Sequence, residues 1–142
     1  RMDHRCQAIA IEANPERAEN ITQNSCTLGT PNLKVVTDKA PSILSTLPTP
    51  DAIFIGGGIT SKGMVKQCWD FLKAGGCLVV NVVTTEGEAV VLKNQKKLGG
   101  HLTRISISNL EKIGSKTAWR PSMQVTQWKV KKPIQMLRES VI

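Results

Sequence analysis

Short, almost wholly apolar runs alternate along the chain with stretches in which apolar residues recur every three or four positions, the pattern of buried strands interleaved with amphipathic helices. The first run is Gln7-Ala8-Ile9-Ala10-Ile11. Asn14-Pro15-Glu16 then supplies an N-cap, a proline at the first helical position and an acid in the first turn. Ala18, Ile21, Ser25 and Leu28 fall on one face of that helix, and Gly29 stops it. Leu33 to Thr37 reads as a second strand, and Pro41 to Leu47 as a short helix or turn closed by Pro48-Thr49-Pro50. Asp51 to Ile55 is a third strand running into Gly56-Gly57-Gly58. Thr60 or Ser61 can cap the next helix, whose Met64, Cys68, Phe71 and Leu72 share a face before Gly75-Gly76. Cys77 to Val83 is a long apolar strand, and Thr85-x-x-Glu88 reads as a capping box opening a helix through Lys97.

The ending differs. His101 to Ser108 and Met123 to Lys131 read as strands joined by a polar stretch containing Gly114 and Pro121, which predicts an antiparallel pair. Strands separated by helices imply a doubly wound, mostly parallel α/β sheet, on which a terminal antiparallel pair is common. A length of 142 residues suits one domain, residues 1–142, with a single core.

Charge is uneven. Of 19 basic and 11 acidic residues, positions 1–92 hold 8 and 9, whereas positions 93–142 hold 11 and 2. Such a basic third attracts anions without saying which. Cysteines 6, 26, 68 and 77 form no C-x-x-C pair, and His4 and His101 are the only histidines, so no metal site is expected. Cys68 and Cys77 lie among apolar neighbours, as reduced and buried thiols do. The apolar runs are far shorter than the ~20 residues a membrane helix needs. The N-terminal Arg1-Met2-Asp3-His4-Arg5 carries no signal pattern, so a cytoplasmic protein is expected.

Doubly wound sheets bind ligands beyond the carboxyl ends of their strands. Glu12 stands at the first such end, where an acid accepts hydrogen bonds from ribose hydroxyls or is simply a solvated carboxylate at a helix start. At the second, Asp38-Lys39-Ala40 offers a side chain and backbone N–H to an adenine edge, with Ala40 small enough for the ring to lie flat; an ordinary turn reads the same way. Gly56-Gly57-Gly58, at the third, permits positive φ and close approach of a ligand. It is neither the G-x-G-x-x-G dinucleotide fingerprint nor the proline-rich motif of amino-methylating enzymes. Asn81 interrupts a run of valines and must find a partner, because a buried amide left unpaired costs about 1–3 kcal/mol; it is expected to face the site.

Ala8-Ile9-Ala10-Ile11-Glu12-Ala13-Asn14-Pro15-Glu16-Arg17 and Asp51-Ala52-Ile53-Phe54-Ile55-Gly56-Gly57-Gly58 carry a resemblance that spans nearly the whole chain. It continues through Gly76 to Thr84, Gly100 to Ile105 and Val125-Thr126-Gln127-Trp128. Together they resemble the decarboxylating precorrin methyltransferase family, comprising the CbiT proteins and the C-terminal domain of CobL-type precorrin-6Y C(5,15)-methyltransferases. The resemblance implies a class I, Rossmann-like methyltransferase that uses S-adenosylmethionine to methylate carbon 15 of the macrocycle and decarboxylates the acetate on ring C, in cobalamin biosynthesis. It implies Glu12, Ala13, Asp38, Ala40 and Gly56 at the cofactor, and Gly57, Gly58, Asn81 and Thr84 toward an anionic tetrapyrrole that suits the basic third. It implies homotetramers. Catalytic residues are not identified, since a sulfonium methyl needs chiefly alignment with its acceptor carbon. The macrocycle is its own electron sink for decarboxylation, and desolvating the carboxylate would help.

The family begins with a strand and a glycine-rich loop of the type D-x-G-x-G-x-G, then a helix, for which this sequence has no counterpart; its strand lies mid-sheet, between those at Ala8 and Asp51. Relative to the family the domain is N-terminally incomplete, the C-terminal piece of a longer protein or one completed by a partner or rearrangement. Alone it is expected to bind the cofactor poorly. The central expectation is that Glu12, Ala40 and Gly56 converge on one nucleoside. Two other functions are compatible with the pattern: an RNA methyltransferase of the same fold, stacking bases on Trp119 and Trp128, or a non-catalytic assembly module using its last strands. The absence of RNA-methylating motifs makes nucleic acid the weaker partner.

Overall fold

The computed structural model describes residues 6–30 and 32–134. The charged residues 1–5 lie outside that range. The chain divides after Leu47 into two compact units.

In the first, β1 (Ala8–Glu12) lies parallel to β2 (Leu33–Thr37), with Glu12 opposite Thr37. Helix α1 (Pro15–Thr27) connects them. Its start is as the sequence predicts: Asn14 caps it, its side chain accepting from Arg17 N at 3.1 Å. Gly29, at φ +63°, turns the chain out of it. Ala18 and Ser25 are buried, but Leu28, expected on the same face, is exposed. A 3₁₀ turn, Ser42–Thr46, follows β2 and buries Leu44. Among the described residues no strand pairs the other edge of β1.

The second unit is built on a four-stranded sheet in the order β3 (Ala52–Ile55), β4 (Cys77–Val82), β8 (Val125–Lys131), β5 (His101–Ile105). β3 and β4 are parallel; β8 runs antiparallel to both β4 and β5, so β3, β4 and β5 end at one edge. One sheet face carries Ile55, Leu78, Val80, Val82, Trp128 and Val130, all buried. The side chains alternate, and Phe54 on the opposite face is 63% exposed. Helix α2 (Met64–Phe71) buries Met64, Val65 and Cys68. Burial pushes the Cys68 thiol up to about 11, which leaves it an inert hydrophobe. Lys132 Nζ donates to the carbonyls of Trp69, Asp70 and Leu72 at 2.7, 3.1 and 2.6 Å, serving acceptors that the end of α2 leaves without helical partners. Helix α3 (Thr85–Leu98) packs on β4 and β8.

Three local expectations are corrected. The cap of α2 is Gly63 rather than Thr60 or Ser61, because Ser61 is consumed in a turn, donating its N–H to Gly58 O and accepting from Met64 N. The cap of α3 is Thr84 rather than Thr85; its hydroxyl takes Gly87 N at 3.2 Å, so no Thr85–Glu88 capping box forms. The polar stretch between the last two sheet strands is itself a hairpin, β6 (Ser108–Ile113) with β7 (Lys116–Pro121), inserted into the predicted antiparallel pair.

Candidate functional site

The first unit gathers four of the predicted residues at one edge. Glu12 closes β1 and Thr37 closes β2 beside it, so Ala13, Asp38 and Ala40 follow from adjacent strand ends. Glu12 Oε1 accepts Asn14 N–H at 2.9 Å, which orients the carboxylate. Its second oxygen has no protein donor among the described residues. Asp38 Oδ1 accepts from Lys39 N at 2.6 Å. A small residue at 40 and a carboxylate with one oxygen to spare fit an adenosine, whose ribose hydroxyls are donors and whose base needs a flat surface.

The second unit gathers the other five along the edge where β3 and β4 stop. Of the glycine run only Gly58, at φ +70°, has a conformation that demands glycine. A Cβ at Gly57 would meet nothing within 4 Å, so that position keeps its surroundings open without a packing reason. A Cβ at Gly56 would lie 2.9 Å from the Phe54 ring. Asn81 finds a partner inside the sheet: its Oδ1 accepts from Gln127 Nε2 at 3.0 Å, directly across the β4–β8 ladder. Gln127 therefore satisfies its carbonyl without a ligand. Its amide donors have no protein partner among the described residues. Thr84 serves as the α3 cap through its oxygen, which leaves its hydroxyl proton to donate.

The sequence reading missed a network at the same edge. Thr126 on β8 lies between Val82 of β4 and Arg104 of β5 in one cross-strand row. Thr126 Oγ1 donates to Glu88 Oε1 at 2.9 Å and accepts from Arg104 Nε at 3.4 Å, and the guanidinium also donates to Glu88 directly. Its only sequence signal is position, one residue before a strand end. The Thr126 hydrogen bond, followed by the hydrogen bond and charge of Arg104, outweighs burial and holds the Glu88 carboxyl below its usual 4.5. A depressed carboxyl pKa stabilises the fold above the unfolded value, and that contribution is lost as pH falls through the folded one. Glu88→Gln is thus expected to lower the melting temperature at neutral pH, with the difference from wild type closing below pH ~4. Parallel melting curves across that range would contradict it.

The basic residues are dispersed. Lys96 and Lys97 occupy the last turn of α3, where they complement the helix dipole, and Lys112, Lys116 and Arg120 lie on the hairpin. Trp119 is 70% exposed, but Trp128 is wholly buried and offers no stacking surface.

Residues 1–132 match the family model described as a precorrin methyltransferase domain. The chain is 50% identical over 126 residues to a precorrin-6Y C(5,15)-methyltransferase [decarboxylating] of a Sinorhizobium species, an alignment that takes in 89% of this chain and 30% of that protein. The C-terminal domain of precorrin-6Y C5,15-methyltransferase from Rhodobacter capsulatus superimposes with a TM-score of 0.80 at 37% identity, over 89% of this chain and 68% of that one. A SAM-dependent O-methyltransferase from Thermotoga maritima shares the fold at 16% identity, with a TM-score of 0.65 over 92% of this chain and 51% of that one. The chain spans about a third of the length of the precorrin-6Y enzymes it matches. The fold is the Rossmann-like one of class I methyltransferases, and the chain belongs to the precorrin methyltransferase domain family.

Proposed function

We propose that the chain is a methyltransferase that uses S-adenosylmethionine to methylate carbon 15 of a precorrin macrocycle and removes the carboxyl group of the acetate on ring C, in cobalamin biosynthesis. The observation that carries this reading is half-identity over 89% of the chain to a protein named for both methylation and decarboxylation. Bound S-adenosylmethionine would supply the electrophilic methyl. Glu12, Ala13, Asp38 and Ala40, which follow from adjacent strand ends of the first unit, are assigned to that cofactor. Gly57, Gly58, Asn81 and Thr84 are assigned to the anionic tetrapyrrole. The open space at Gly57, the unused Asn81 amide donors and the Thr84 hydroxyl support the second group. We place the protein in the cytoplasm as a homotetramer; Leu110, Ile113 and Trp119, all exposed on the hairpin, favour self-association.

The test is an assay of the full-length protein with precorrin-6Y and methyl-labelled S-adenosylmethionine. Label is expected in the macrocycle together with release of carbon dioxide. A folded protein that transfers no label to the macrocycle would refute the reading.

A further inference from the structure

Resting on that proposed function, we infer that Arg104 is a substrate-binding residue, presented by Glu88 and Thr126 to grip a peripheral carboxylate of the macrocycle.

Arg104 stands one residue before the end of β5, at the edge where β3 and β4 also end, and ligands of doubly wound sheets bind at such edges. An isolated surface arginine pays rotamer entropy when it binds. Here part of that ordering is already built in. Thr126 is buried to 9% exposure, fixed in the sheet opposite Arg104, and takes its Nε; Glu88, 27% exposed on the first turns of α3, takes one Nη. Both contacts lie along one side of the guanidinium. Its remaining N–H donors have no protein partner among the described residues, and the side chain is 57% exposed. An arginine tied on one side and open on the other suits two-pronged recognition of a carboxylate, which a lysine cannot reproduce. Glu88 uses the same oxygen, Oε1, for Thr126 and Arg104, so it meets the guanidinium at one point and does not block its fork.

A surface ion pair with no ligand would contribute little and need no buried hydroxyl at its centre. The buried threonine joining both partners separates this network from Lys66–Asp70, an exposed pair within one helix.

The experiment uses the full-length protein. Arg104→Gln is expected to raise the KM for precorrin-6Y by ~10–100-fold, as loss of a charge-assisted contact worth about 1.5–3 kcal/mol would. The KM for S-adenosylmethionine should stay within twofold. Arg104→Lys should fall between, and it keeps the result readable if the glutamine variant folds poorly. Glu88→Gln, which loosens the arginine without removing it, should raise the precorrin KM by less than Arg104→Gln and leave kcat at saturation nearly unchanged. Lys93→Gln, an equal loss of charge on the exposed body of α3, should have no effect. Unchanged precorrin KM in both Arg104 variants, or an equal rise in Lys93→Gln, would overturn the assignment while leaving the proposed function standing. A wild-type protein that neither binds nor methylates precorrin-6Y would overturn both.

Discussion

Trp128→Ala is expected to destabilise the protein by about 3–5 kcal/mol, a large part of the ~5–15 kcal/mol that holds a domain folded. Trp128 has none of its surface exposed and is the largest fully buried side chain among the described residues. It lies in one cross-strand row with Val80 and Leu102 and shares its buried face with Val130. Its Nε1 donates to Gly99 O at 2.9 Å, joining the sheet to the turn that ends α3. Truncation removes the ring and leaves that carbonyl without its donor. Two mechanisms then add, a cavity and an unsatisfied acceptor. Trp128→Phe separates them, since it restores much of the volume without the N–H, and should cost about 1–3 kcal/mol. Urea unfolding of the three proteins measures both; an alanine variant within 1 kcal/mol of wild type would contradict the packing account. The turn itself has no room to adjust. Gly100 lies at φ +91°, and a Cβ there would fall 2.5 Å from Lys129 O.

Trp128 also marks where reading the sequence succeeds and fails. Strands β1 to β4 are legible because each is a largely apolar run bounded by a glycine, a proline or a capping residue, and such signals are local. Which face of a strand is buried is not local. Val125–Lys131 alternates in burial, and only pairing with β4 on one side and β5 on the other determines that Trp128 points inward. The same tryptophan therefore reads as a stacking surface until the sheet is assembled. The hairpin of β6 and β7 was illegible for the opposite reason. It is exposed on almost every residue, so no apolar alternation betrays it, and its turn rests on Gly114 at φ +59°.

Caps differ from expectation by one to three residues where several hydroxyls adjoin. Thr84 and Thr85 are equivalent in propensity, and in the structure Glu88 engages Thr126 and Arg104 rather than closing a capping box. Asn81 is more instructive. A polar residue in a valine run does signal a partner, but Gln127 lies 46 residues away in sequence and is revealed only by the ladder register. At Glu12, by contrast, a strand end followed at once by a capped helix places the acid at the carboxyl edge of the strands from sequence alone, and the structure adds the Asn14 hydrogen bond that orients it.

That orientation leads to the second large effect. Glu12→Ala in the full-length protein is expected to weaken S-adenosylmethionine binding by ~10–100-fold, the loss of charge-assisted acceptance from ribose hydroxyls at about 1.5–3 kcal/mol. Only one carboxylate oxygen is spent on the backbone, so the other remains for the ligand. Glu12→Gln keeps an oxygen for Asn14 but offers the ribose a neutral N–H donor where the carboxylate offers a charged acceptor, so the charge-assisted bond is replaced at best by a weaker one in which the hydroxyl accepts. Glutamine should therefore rescue little of the affinity even though it preserves shape. Were the role of Glu12 only to brace the β1–α1 turn, the reverse order would hold, with glutamine near wild type and alanine less stable but unaltered in ligand affinity. Calorimetric titration with S-adenosylmethionine, set beside melting temperatures of the same three proteins, distinguishes the two. Wild-type affinity in a folded Glu12→Ala protein would remove this residue from the cofactor site.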